Sequence, residues 1–222
     1  SLTAGSISAA GVGVTVHTGD SLGGNITLGN VITSRYLKVT TNAGGVININ
    51  NVTVTGAIGG TGASKSDAVV ISDIGAANGS VVEAAAGRLA TTSGNVKITA
   101  GHVTLGTVSD GGTLNITAKE TGPVAGSFSA KGAVTAKAVS VAASGSYGGK
   151  ISAGAITATG GSIVMTAKQG PGNSGSAVIS AGNLTGRAVN LSATGRNRKI
   201  TTGAVIATGT ATTAQAGTVE VT

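Results

Sequence analysis

A short phrase recurs along this chain and limits what it can fold into more than any other feature. It reads glycine, any residue, an aliphatic, a small polar residue, two variable positions, then glycine, asparagine or a small residue before another aliphatic. The copies are GSISAAGV from Gly5, GNITLGNV from Gly24, GVININNV from Gly45, GHVTLGTV from Gly101, GSFSAKGAV from Gly126 and GKISAGAI from Gly149. Looser copies continue it: VISDIGA from Val70, VISAGNL from Val178 and KITTGAV from Lys199. The anchoring side chains are then Ile7, Ile26, Ile47, Ile71, Val103, Phe128, Ile151, Ile179 and Ile200, roughly 19 to 32 residues apart, in or near the range of solenoid coils. The widest step, from Ile71 to Val103, leaves room for an extra strand or loop.

A second phrase lies between copies of the first: two alternating aliphatics, then Thr, Ser or Ala. It is seen as LKVTT from Leu37, VKITA from Val96, LNITA from Leu114, VSVAA from Val139, IVMTA from Ile163, VNLSA from Val189 and VEVT from Val219. Alternation over four or five residues is the period of a strand with one buried face. The segments between are rich in Gly, Asn and Ser, and both prolines, Pro123 and Pro171, fall there and interrupt no strand. The pattern predicts an all-β, right-handed parallel β-helix (β-solenoid) of about nine coils, a single domain over residues 1–222. Equivalent aliphatics would then stack at about 4.8 Å in interior columns.

Composition fits such a fold and few others. Gly supplies 39 residues, aromatic residues are 1 % and charged residues 9 %, so large core side chains are nearly absent. Stability must come from many small β-branched side chains and backbone hydrogen bonds. Phe128 and Met165 read as interior gap-fillers. Asn25, Asn48, Asn115 and Asn190 read as members of solvent-facing or turn ladders. Cysteine is absent, which removes disulfides and thiolate metal sites and suits a secreted protein. No apolar run is long enough for a membrane helix, so no membrane span is expected.

The phrases GNITLGNV, GKISAGAI and VNLSATG resemble the haemagglutinin-like repeats of large bacterial adhesins, the filamentous haemagglutinin and high-molecular-weight adhesin group. The resemblance spans essentially the whole chain. It implies a β-helical passenger shaft at the cell surface or outside the cell. No NPNG-like motif of the family's secretion domain is present, so the resemblance is to shaft and not to secretion signal.

Chemistry is sparse. The seven acids are Asp20, Asp67, Asp73, Asp110, Glu83, Glu120 and Glu220, and only Asp67 and Asp73 lie close in sequence. His17 and His102 have no HxH or HxxxH partner, and neither the calcium nonapeptide nor a nucleotide loop occurs; GAIGGTGAS from Gly56 lacks the strand-to-helix context. The expectation is no enzyme, no catalytic residue, no cofactor and no metal. Threonine pairs such as Thr53 with Thr55 and Thr208 with Thr210 do not recur in register, which argues against an ice-binding array. Asn-x-Ser/Thr sequons mark possible glycosylation at Asn25, Asn51, Asn78, Asn115, Asn183 and Asn190.

Net charge is +7, from 14 Lys and Arg against 7 Asp and Glu. A basic surface attracts polyanions, and Arg196, Arg198 and Lys199 form the densest basic turn, a candidate site for anionic glycans or other cell-surface polyanions. No aromatic platform accompanies it, so no specific nucleic-acid binding is expected. The repeat runs from Gly5 to the closing VEVT without a polar or helical cap. The expected partner is therefore the chain itself, head to tail through its terminal coils, in a structural extracellular filament of cell-surface or biofilm type. The alternative is a shaft segment of a large secreted adhesin that binds host or surface glycans through its basic turns.

Overall fold

The computed structural model describes residues 1–18, 24–42, 45–55, 67–74, 83–120, 123–170, 175–209 and 219–221, with backbone alone at 42, 73–74, 83–85 and 219–221. Among the described residues every regular element is a strand, and every strand pairing is parallel. The fold is a parallel β-solenoid. One sheet runs nine strands deep along the path Leu2–Ala4, Ile26–Thr33, Val46–Val54, Glu83–Thr91, His102–Asp110, Gly126–Ala130, Gly148–Ala153, Ser176–Ala181 and Asn197–Thr202. The other is also nine deep: Val14–Thr18, Leu37–Asn42, Asp67–Ile74, Asn95–Ala100, Thr113–Lys119, Ala138–Gly145, Ile163–Gln169, Val189–Thr194 and Val219–Val221. The chain visits the two sheets alternately, so each strand pairs with its counterpart one coil on. Seven of the nine rungs in each path have a neighbour on both sides.

The second phrase of the sequence is the second sheet. Its aliphatics form two buried columns, Val14, Leu37, Val69, Val96, Leu114, Val139, Ile163 and Val189 in one, Val16, Val39, Ile71, Ile98, Ile116, Val141, Met165 and Leu191 in the other. A third column is alanine at five successive rungs, Ala100, Ala118, Ala143, Ala167 and Ala193, each nearly inaccessible. Small side chains at this repeated position suit close approach of the two sheets.

The first phrase is the first sheet with the exception of Ile71, and all but one of its remaining anchors share a column. Leu2, Ile26, Ile47, Val103, Phe128, Ile151, Ile179 and Ile200 share a column whose fourth rung is Ala84. Ile7 is not in it, because Ile7 pairs with Val31 further along the same sheet. Ile71 is in the other sheet, between Val39 and Ile98. Both strands of a coil alternate aliphatic with polar, so a phrase alone does not distinguish them. The wide step from Ile71 to Val103 holds two strands, Glu83–Thr91 and Asn95–Ala100. Phe128 and Met165 are both buried in the core, at 1 % and 0 % exposure.

A column of glycine divides the first sheet lengthwise. Gly29 donates its N–H to Gly5, Gly132 to Gly106, Gly182 to Gly154 and Gly203 to Gly182. Gly87 lies against the Asn50 carbonyl, so asparagine takes the glycine place on one rung. Beyond the column runs a further buried line, Ile7, Val31, Val52, Leu89, Val108, Val134, Ile156, Leu184 and Val205, with the two end members only partly covered. In the later coils the break at glycine is complete, and the short strands Val134–Ala136, Ile156–Ala158, Leu184–Gly186 and Val205–Ala207 stand alone.

Outward positions are mostly hydroxyls, in register. Thr27, Thr104, Ser129, Ser152, Ser180 and Thr201 share one column with Asn48 and Ala85, and Thr53, Ser109, Thr135, Thr157 and Thr185 share another with Ala90. Thr53 thus belongs to a column of hydroxyls, and Thr210 lies outside the described residues.

Of the asparagines read as ladder members, Asn25 is one, and it acts by clamping a turn. Its Oδ1 accepts the Val46 N–H at 3.1 Å, Asn95 Oδ1 accepts that of Thr113 at 3.0 Å and Asn183 Oδ1 that of Ala204 at 3.0 Å. In each case the asparagine directly precedes the first inward aliphatic of its strand, and the amide belongs to the equivalent residue one coil on. Asn48, Asn115 and Asn190 do not stack on one another: Asn48 pairs with Thr27 and Ala85, Asn115 with Lys97 and Ser140, and Asn190 with Val164 and Glu220. The asparagine ladder that does form joins Asn51 and Asn50 to Asn30.

Candidate functional site

The basic turn found in the sequence is one end of a longer basic edge. It lies where the second sheet hands the chain over to the first. Two glycines with positive φ, Gly148 at 113° and Gly195 at 149°, allow the tight reversals there. The Gly195 turn is further fixed by Gln169, whose Oε1 accepts the Arg196 N–H at 2.9 Å. Arg196, Arg198 and Lys199 are all exposed on this turn and on the strand that follows it.

Register adds three cations to them. Lys150 and Lys199 occupy one outward column with Val178 between, and Lys119 and Lys168 occupy a second with Ser144 between. Each pair is two rungs apart, about 9.6 Å at strand spacing. Lys119, Lys150 and Lys168 are exposed, as is Tyr147, 44 % accessible in the turn between Ala138–Gly145 and Gly148–Ala153. The sequence signal for these lysines is their phrase position. Lys150 and Lys199 both precede the anchoring isoleucine, and Lys119 and Lys168 both follow Thr-Ala.

Acids do not offset this edge among the described side chains. Asp110 and Glu120 are buried, and Asp67 is half-buried 3.5 Å from the Asn95 amide. Along this edge the described exposed side chains that carry charge are therefore cationic. On these later rungs the two lysine pairs repeat at the same two-rung interval.

The two buried carboxyls sit at different corners. Asp110 Oδ1 accepts from Thr91 Oγ1 and from Gly112 N at 3.0 Å, while Oδ2 has no hydrogen bond. Burial pushes this carboxyl above its ordinary value, against the lowering effect of its hydrogen bonds. Glu120 lies over Gly101, where a Cβ would fall on its Oε1. That oxygen accepts no hydrogen bond and is 3.6 Å from Nε2 of His102. Nδ1 of His102 is 2.6 Å from Ser127 Oγ, its in-register neighbour one coil on. His17 makes the same contact with Thr40, at 2.8 Å. Sequence spacing does not reveal the pairing of Glu120 with His102, because 18 residues, nearly a full coil, separate them.

Of the sequons, Asn25 and Asn183 are exposed, Asn51 donates to Asn30, and Asn115 and Asn190 stand half-buried in the second sheet. Asn78, Asp20, Pro171 and the GAIGGTGAS segment from Gly56 lie outside the described residues. Comparison with protein-family models, with curated proteins and with solved structures found no match.

Proposed function

We propose that this chain is a structural unit of an extracellular filament, extended by stacking one solenoid end on another. One observation carries this reading: the columns at the two ends continue each other. The ninth rung presents Ile200, Thr202, Val205 and Ala207 at its inward positions, and the first presents Leu2, Ala4, Ile7 and Ala9. Aliphatic meets aliphatic and small meets small when a second copy follows in register. These residues are only partly covered or exposed, unlike their counterparts on inner rungs, so stacking would remove apolar area from water and pair two open strand edges. Such a contact is heterologous and does not close, which gives an open fibre.

Electron microscopy and sedimentation of the purified 222-residue chain across a dilution series test this. Rods that lengthen with concentration at constant width are the expected result. Rods of one length near 40 Å, about nine strand spacings, at every concentration would remove self-stacking.

A second reading rests on the basic edge: attachment to anionic glycans as a shaft segment of a larger adhesin. Charge reversal at Arg196, Arg198 and Lys199 together should abolish retention on immobilised dextran sulfate at moderate salt. Retention unchanged by the triple substitution would count against it.

A further inference from the structure

We propose that His102 and Glu120 form a binding site for a divalent transition-metal ion of the zinc class, clipping one coil of the solenoid closed. The Glu120 side chain is 4 % exposed and its Oε1 accepts no hydrogen bond, a costly state for a buried carboxylate. The 3.6 Å between that oxygen and Nε2 of His102 is too long for a hydrogen bond. It suits a shared ion. Zinc lies about 2.0 to 2.2 Å from imidazole nitrogen and carboxylate oxygen, so one ion between tetrahedral and trigonal angles holds the two donors about 3.3 to 3.6 Å apart.

The surroundings are those of a ligand histidine. With the proton on Nδ1, His102 donates to Ser127 Oγ at 2.6 Å and leaves Nε2, 3.6 Å from Glu120 Oε1, with its lone pair free for an ion. A hydrogen bond of this kind fixes the ring's orientation. Glycine at 101 leaves the space that Oε1 occupies. The imidazole is 22 % exposed, which gives an ion access to solvent and leaves its other positions to water. Calcium, which takes six to eight oxygens, is a poor fit to one nitrogen and one carboxylate. No group of three His, Cys, Asp or Glu side chains gathers among the described residues, so the site is a two-donor chelate of modest affinity. His17 hydrogen-bonds in the same way through Nδ1 to Thr40, and no ion pair with an acid is found for it among the described residues. It serves as an internal control.

The test uses the tag-free chain titrated with zinc, read by calorimetry, by the imidazole resonances and by the thermal midpoint. One saturating site is expected, with the His102 resonances moving, those of His17 still, and the midpoint rising with zinc. His102→Gln and Glu120→Gln should each abolish saturation, and His17→Gln should not. Ser127→Ala, at a partly exposed position, should weaken affinity about tenfold while the rod stays folded. No saturation of the native chain at millimolar zinc would overturn the proposal, as would affinity unchanged by His102→Gln and Glu120→Gln.

Discussion

Asp110 is the residue least suited to its place. Its column is otherwise lined by small or β-branched residues such as Thr33, Val54 and Thr91, yet it brings a carboxyl into the interior with one oxygen unpaired. Burial raises its folded pKa above the unfolded value, so the folded state holds the proton more tightly. The stabilising contribution is therefore complete below the ordinary carboxyl range and is lost as pH rises through the raised folded value. Asp110→Asn should leave stability nearly unchanged in acid, raise it at neutral pH, and flatten the difference in thermal midpoint between the two conditions. Unfolding curves of both proteins across that range decide it. The asparagine clamps are a second case at this scale. Asn95→Ala leaves the Thr113 amide without its acceptor and should cost about 1 kcal/mol by denaturant unfolding.

At the scale of elements, the glycine column and the aliphatic columns set opposite tolerances. A Cβ at Gly106 would fall on the carbonyl oxygen of Gly87, whereas one at Gly154 meets nothing closer than the Gly132 carbonyl at 3.5 Å. Backbone one rung away has little freedom to move when both its sheet neighbours are fixed. Gly106→Ala should therefore destabilise the rod markedly, and Gly154→Ala should be close to neutral, although both sit in one column. Thermal unfolding of the pair checks this. Among the aliphatics, Ile179→Ala opens a cavity between Ile151 and Ile200 and should cost about 2 to 5 kcal/mol. The strands themselves were legible in the sequence as alternating phrases. Their sheet was not, because Ile71 and Ile26 have similar local surroundings and differ only in which strands lie above and below them.

At the scale of the whole molecule, the cations among the described side chains are exposed or half-buried, while Asp110 and Glu120 are buried. Rods with positive flanks repel one another sideways, which favours axial growth over bundling at low ionic strength. The Debye length falls from about 30 Å at 0.01 M to about 3 Å at 1 M salt. Light scattering should accordingly show little lateral association in dilute salt and more as salt rises, with the charge-reversed variant of Arg196, Arg198 and Lys199 associating at lower salt than the native chain. The sequence by itself determined the solenoid, since a strand-length alternation repeated once per coil, with hardly any large side chain, buries its aliphatics best by stacking like on like. It also located one basic turn, because those three residues are near neighbours in the chain. Only the tertiary structure decided the rest. It placed Glu120 against His102 and Asp110 beneath Thr91, because winding the chain brings residues about one coil apart in sequence to neighbouring positions in space, and it set Lys150 two rungs from Lys199 in one column.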